Sequence, residues 1–178
     1  EYGTLGTGGS GNEKSPVLMD ALHGIPIKKI SCGASHSAVI TDNGELFVWG
    51  RNDNAQLGLP GGLLVDVYNM ESVPVRVEGI KESGTDDEAP ILDVACGNKH
   101  TVVVTEGHHV YVWGNRQVFG PTLVRGDEDY LLKRKIVKVA AGEGFSSVID
   151  STGNMFTWGN GSSGCLGHGG KGKEKNPR

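Results

Sequence analysis

Three stretches of this chain align with one another without a gap, and that self-similarity constrains the fold more than any other feature. Cys32-Gly33-Ala34-Ser35-His36-Ser37 runs on to Trp49-Gly50, and Cys96-Gly97-Asn98-Lys99-His100-Thr101 to Trp113-Gly114. The third copy, Ala141-Gly142-Glu143-Gly144-Phe145-Ser146, runs on to Trp158-Gly159. Seventeen residues separate Cys32 from Trp49, Cys96 from Trp113 and Ala141 from Trp158, whereas the tryptophans themselves lie 64 and 45 residues apart. Fixed cores joined by connectors of variable length mark a repeated supersecondary unit with insertions between copies.

Within each copy the pattern is that of strands. Ser37 to Thr41 and Glu45 to Trp49 flank Asp42-Asn43-Gly44, an Asn-Gly hairpin signal. Thr101 to Thr105 and Val110 to Trp113 flank Glu106-Gly107-His108-His109, and Ser146 to Asp150 and Met155 to Trp158 flank Ser151-Thr152-Gly153-Asn154. Upstream of each core lies a β-branched stretch, Ile27 to Ser31, Ile91 to Ala95 and Ile136 to Ala140. About four short strands per unit of this size is what one propeller blade requires. No long segment shows a 3.6-residue period; Tyr130 to Lys135 suits a short, charged helical turn in a loop.

The edges of the copies repeat as well. Gln56-Leu57-Gly58 follows the first Trp-Gly and Gly164-Cys165-Leu166-Gly167 the third, while the second has a shortened version ending at Gly120. The chain opens on the same motif, Gly3-Thr4-Leu5-Gly6. This accounts for a glycine content of 29 in 178, more than twice the average. Collagen is excluded because the glycines have no three-residue period, and they are turn positions, not a flexible or phosphate-binding signature.

The pattern Ile/Val-x-Cys-Gly-x-x-His-Ser/Thr, then Trp-Gly, then Gln-Leu-Gly resembles the regulator of chromosome condensation repeat. It stands here as residues 30–58 and 94–120, with a third copy, 139–167, that lacks the Cys and His. The stretch from Ile30 to Leu59 is also similar to the retinitis pigmentosa GTPase regulator branch. The family implies a seven-bladed, all-β propeller, which at roughly 50 residues per blade needs about twice this chain. The expectation is therefore a single partial β-propeller over residues 1–178, an arc of about three to four blades with partial units at 1–29 and 168–178. The remaining blades are expected from the rest of a longer chain.

Chemistry is sparse. Cys32/His36 and Cys96/His100 invite a zinc reading, but Ala141 and Phe145 hold the equivalent positions, and successive blades do not gather ligands around one ion. The expected role is structural: a small buried thiol beside a histidine that hydrogen-bonds a turn. The other positions expected to be structural are Gly33, Trp49, Gly50, Gly97, Trp113, Gly114, Gly142, Trp158 and Gly159. No catalytic triad, phosphate loop or cofactor signature appears, so no enzyme, metal or cofactor is expected. Each of the three tryptophans is a repeat position, whereas a tryptophan-cluster light sensor, like the plant ultraviolet-B member of the family, needs more.

Charge narrows the partners. The formal net charge is −4, and the last eight residues, Lys171 to Arg178, carry +3, leaving the body at −7. Nucleic-acid binders show a basic face, so nucleic acid is not an expected partner, and the short tail reads as a solvated run. No apolar run approaches the roughly 18 residues of a membrane span and no signal peptide opens the chain. Three widely spaced cysteines suit a reducing, intracellular compartment.

Recognition is expected in connectors on the rigid scaffold. The insertion from Leu59 to Pro90 carries an apolar half with Leu63, Leu64 and Tyr68 and an acidic half with Asp86, Asp87 and Glu88. Asp127, Glu128 and Asp129 form a second acidic loop. The sequence thus predicts a non-catalytic module presenting these residues to a protein partner. The alternatives are guanine-nucleotide exchange on a small GTPase, the activity of the family's founding member, and an accessory propeller of a larger kinase or ubiquitin ligase.

Overall fold

In the computed structural model, which describes residues 1–59, 70–82 and 84–178, the chain is an arc of three antiparallel sheets. The first blade is β1 (Ile27–Cys32), β2 (His36–Thr41), β3 (Leu46–Arg51) and β4 (Met70–Arg76), hydrogen-bonded in that order. The second is β5 (Ile91–Cys96), β6 (His100–Thr105), β7 (Val110–Gly114) and β8 (Val118–Leu123). The third is β9 (Ile136–Ala141), β10 (Phe145–Asp150) and β11 (Met155–Gly159). The all-β, partial-propeller architecture expected from the repeats is what the chain adopts.

Register explains the constant spacing. In each blade the residue after the His/Phe position faces the tryptophan across the sheet: Ser37 faces Trp49, Thr101 faces Trp113 and Ser146 faces Trp158. One step on, His36, His100 and Phe145 pair with Gly50, Gly114 and Gly159. Those glycines have φ between 106° and 112°. A Cβ on Gly50 would stand 2.7 Å from the His36 Cα, so the Trp-Gly pair is imposed by a backbone that approaches its neighbouring strand too closely for a side chain.

The core lies between the blades. One cluster, including Ile40, Val48, Leu57, Val94 and Trp113, fills the seam between the first and second blades. Another, including Val102, Ile136, Val148, Phe156 and Trp158, fills the seam between the second and third. β2 and β6 are buried throughout, whereas β10 is buried only at alternate residues and β1 is largely exposed. Ile30, Ile149 and Met155 are left exposed on the outer faces of the arc.

Four local expectations change. The Leu59–Pro90 insertion is not one loop, because β4 runs through it. Leu63, Leu64 and Tyr68 precede β4 and lie outside the described residues, whereas Asp86, Asp87 and Glu88 belong to the connection that leaves it. In the second hairpin the left-handed position is His108 (φ 68°), not Gly107. The register that puts Gly44 and Gly153 at the turn puts a histidine there in the second copy. The expected helical turn is a 3-10 segment, Asp127–Lys133, broken by positive φ at Glu128 and Asp129. The basic C-terminus is not merely solvated: Glu174 exchanges backbone hydrogen bonds with Gly159, and Arg178 with Thr157, so the tail lies along β11.

Candidate functional site

Each seam is fastened at the buried end of the repeat core. The His36 ring Nε2 lies 2.9 Å from the Thr101 hydroxyl of the next blade, and His100 Nε2 lies 2.9 Å from the Ser146 hydroxyl. Thr101 Oγ1 donates its proton to the Gln56 carbonyl at 2.6 Å, so the His36 ring must donate through Nε2, leaving Nδ1 buried and without a hydrogen-bond partner among the described residues. Burial pushes the His36 imidazole down to about 4, helped by the neighbouring His100, and burial also lowers His100. Both rings are therefore neutral latches at pH 7. The expected turn bond is replaced by one across the seam.

The backbone repeats the same step. Ala34 N–H donates to the Gly97 carbonyl at 3.3 Å and Asn98 N–H to the Gly142 carbonyl at 3.2 Å. A Cβ on Gly97 would meet that Gly142 oxygen at 2.7 Å. Buried Asp93 ties three blades together, pairing with Lys29 of the first and accepting from Val139 N of the third at 3.0 Å. The two core cysteines differ. Cys96 is buried, with burial pushing its thiol up to about 12, while Cys32 is exposed on the open face of β1. The expectation of a buried thiol thus fails at Cys32, because no blade covers that face in this arc.

A third fastener is the Leu-Gly turn. The Gln56 carbonyl accepts from both Thr101 Oγ1 and Trp113 Nε1 (2.9 Å), and the Thr4 carbonyl accepts from both Ser37 Oγ (3.3 Å) and Trp49 Nε1 (2.9 Å). The sequence motif Gly-x-Leu-Gly at the N-terminus is therefore a turn docked on Trp49, the counterpart of Ala55–Gly58 on Trp113. The Ser/Thr after each histidine was visible as a repeat position. Its role as the seam's relay was not, because it depends on a carbonyl from another blade.

The acidic residues sit elsewhere. Asp86, Asp87 and Glu88 are exposed on the β4–β5 connection, where Glu88 accepts from Gly79 N and pairs with Lys81 at 3.5 Å. Tyr111 Oη donates to the Lys81 carbonyl at 2.9 Å, fixing the loop against the second blade. Asp127, Glu128 and Asp129 occupy the equivalent β8–β9 connection. Asp127 accepts from Asn176, and Asp129 pairs with Arg125 at 3.3 Å. Behind them Arg134 stacks on Tyr130 at 4.5 Å and pairs with buried Asp150 at 3.2 Å. The Asp150 carboxyl, bonded by Asn154 and Thr152, is held well below the usual range. Both connections lie at the hairpin end of the arc, since Ile91 N bonds Gly44 O and Ser151 N bonds Lys135 O. Among the described residues no three His, Cys, Asp or Glu side chains are grouped to hold a metal ion, and no helix is long and apolar enough to cross a membrane.

This seam-and-turn architecture is that of a repeat β-propeller. Two models of the regulator of chromosome condensation (RCC1) repeat match the chain, one over residues 1–40 and 43–104 and one over 27–56, 91–120 and 136–165. The chain belongs to the RCC1 repeat family. It is 37% identical over 178 residues to the ultraviolet-B receptor UVR8 of Arabidopsis thaliana, covering 95% of this chain and 37% of that one. Human WBSCR16 shares the fold with a TM-score of 0.79 at 22% identity, covering 99% of this chain and 45% of its own. Prp20p of Saccharomyces cerevisiae does so at 0.69 and 21%, covering 85% and 37%. The chain spans less than half the length of each of these proteins.

Proposed function

We propose that this chain is a non-catalytic, intracellular interaction arc that presents its blade-to-blade loops to a protein partner. One observation carries the reading. The histidines and hydroxyls of the repeat cores are engaged in holding seams, while the Asp86 and Asp87 carboxylates are exposed and meet no cation among the described residues. Acidic residues on a rigid β scaffold suit a partner with a basic surface. The fold neighbour Prp20p, described by its binding to Gsp1p and histones, supports a protein as the partner class. The likeness to an ultraviolet-B receptor does not extend the reading to light, because all three tryptophans here are seam residues.

A photo-crosslinking residue at Glu128 should capture the partner, and Asp86→Lys with Asp87→Lys should abolish that capture. Equal capture from Asn98, at the opposite end of the second blade, would remove the loops from consideration. Guanine-nucleotide exchange on a small GTPase is the second reading, resting on the family resemblance. Accelerated nucleotide release by the full-length protein from one member of a GTPase panel would favour it, and no acceleration with any member would sink it.

A further inference from the structure

The excursions that follow the three Trp-Gly pairs are unequal. After Gly50 the chain travels through Ala55–Gly58 to reach Trp113 of the next blade. After Gly114 it turns at once. Asn115 and Arg116 both adopt left-handed φ (57° and 55°), Gln117 N bonds the Gly114 carbonyl, and β8 begins at Val118. Two consecutive left-handed residues make the tight turn of a three-residue loop between paired Gly114 and Val118, and Arg116 reaches backward to the Asp53 and Asn54 carbonyls of the first blade. No segment of the second blade therefore crosses to Trp158 as Gln56 crosses to Trp113.

The receiving side of that seam is nevertheless built. Ser146 faces Trp158 across β10 and β11 as Thr101 faces Trp113. His100 Nε2 lies 2.9 Å from the Ser146 oxygen, as His36 Nε2 does from Thr101; a His100 ring that donates there, as His36 does, leaves the Ser146 proton for a further acceptor. At Trp113 and at Trp49 the corresponding hydroxyl and the indole N–H converge on one carbonyl, that of Gln56 or Thr4. At this seam neither donor finds an acceptor among the described residues. Trp158 is 8% exposed, against 2% for Trp49 and 0% for Trp113. A nearly buried indole whose N–H has no acceptor among the described residues can take a carbonyl there.

We propose that the seam between the second and third blades is a docking site for a tight turn of a protein partner with the sequence polar residue–Leu–Gly. The carbonyl of the polar residue takes the Ser146 and Trp158 protons, and the glycine lies on the indole. The occupant's chemistry is fixed by the two filled examples in the same molecule. Gly6 N bonds Gly3 O at 3.0 Å and Gly58 N bonds Ala55 O at 3.1 Å, with positive φ at both ends of each turn. A Cβ on Gly58 would lie 2.6 Å from the Trp113 Nε1 and one on Gly6 2.9 Å from the Trp49 Nε1, so the final position takes glycine alone. The site continues the row of tryptophans, Trp49 and Trp113, already capped by such turns, and it lies at the opposite end of the blades from the acidic loops.

The probe is a peptide with the sequence of Asn52–Leu59, added to the full chain while the three indole N–H signals are followed by NMR, with Trp158→Phe supplying the assignment. In the free protein the Trp158 indole proton should exchange with solvent about tenfold or more faster than that of Trp113. The peptide should shift the Trp158 signal saturably and leave the other two in place. A peptide carrying Leu57→Asp should not, and Ser146→Ala should weaken binding about fivefold. A Trp158 signal that stays still at millimolar peptide, or that moves equally with the Leu57→Asp peptide, overturns the proposal. So does a Trp158 signal that shifts with protein concentration alone while the chain self-associates, since the occupant is then the Gly164–Gly167 turn of a second copy.

Discussion

The two seams of this arc are built from the same parts, with one part removed. Both have the histidine-to-hydroxyl latch, the glycine carbonyl accepting an N–H from the neighbouring blade, and an apolar core around the tryptophan. Only the seam between the first and second blades has the Leu-Gly turn and its doubly bonded carbonyl. Trp158 is still nearly buried without it, so apolar packing of the sheets docks the blades and the turn adds a separable fastener. A repeat protein whose stability is a sum of units and interfaces can lose such a part from one interface and keep its shape.

Glycine substitutions break the comparison most sharply. Gly58→Val places a branched side chain at φ 68° and within 2.6 Å of the Trp113 indole, and should cost about 4 kcal/mol. Gly120→Val, at the end of the shortened version of the motif, meets nothing within 4 Å and has no left-handed φ, and should change stability by less than about 0.5 kcal/mol. Urea midpoints of the two variants decide the matter. Equal losses would mean that the turn is not the fastener the first seam suggests.

Acid should weaken both seams, the first more. The folded His36 titrates near 4 and the unfolded residue near 6.5, so between these values the unfolded chain binds the extra proton. Stability contributed by neutral His36 is complete above pH 6.5 and is lost as the pH falls to 4. The total is roughly 3 kcal/mol. Denaturation followed from pH 7.5 to 4 should show this slope, and His36→Asn should flatten it.

Removing the hydroxyls tests the same seams more gently. Thr101→Val strands the buried His36 Nε2–H and removes one of the two hydrogen bonds to Gln56 O, which keeps that of Trp113, and should cost about 2 kcal/mol. Ser146→Ala removes only the partner of His100 Nε2, because no carbonyl among the described residues accepts from Ser146, and should cost about 1 kcal/mol. A Ser146→Ala loss as large as that of Thr101→Val would mean that the second seam already has an acceptor.

The blades were legible in the sequence because register is a local property. A fixed distance between His36 and Trp49 is the distance around one hairpin, and every copy has to repeat it. The all-β class, the strand pairs and the Trp-Gly positions follow from that. What joins the blades was not legible, since Thr101 depends on Gln56, which is 45 residues away and belongs to the neighbouring unit. The hairpin of the second copy misled for a related reason. Gly107 drew the turn assignment by residue type, whereas alignment with Gly44 and Gly153 places His108 at the left-handed position. The Leu59–Pro90 insertion hid a strand because Met70–Arg76, bearing Pro74 as an outermost strand can, lacks a clean alternation.

The smallest expected effect separates the loops from the seams altogether. Asp86→Lys with Asp87→Lys alters two exposed side chains outside both core clusters, so stability should move by no more than about 0.5 kcal/mol. The loop itself is held by other groups: Glu82 N on the Asp87 carbonyl, Ala89 N on the Ile80 carbonyl, and Tyr111 Oη on the Lys81 carbonyl. None of these bonds uses the two carboxylates. The double variant should keep the wild-type urea midpoint and the same slow exchange of the Trp113 indole proton, while losing capture of a basic partner. A lowered midpoint would show that the carboxylates serve the fold, and the acidic loop would then belong with the seams and not with recognition.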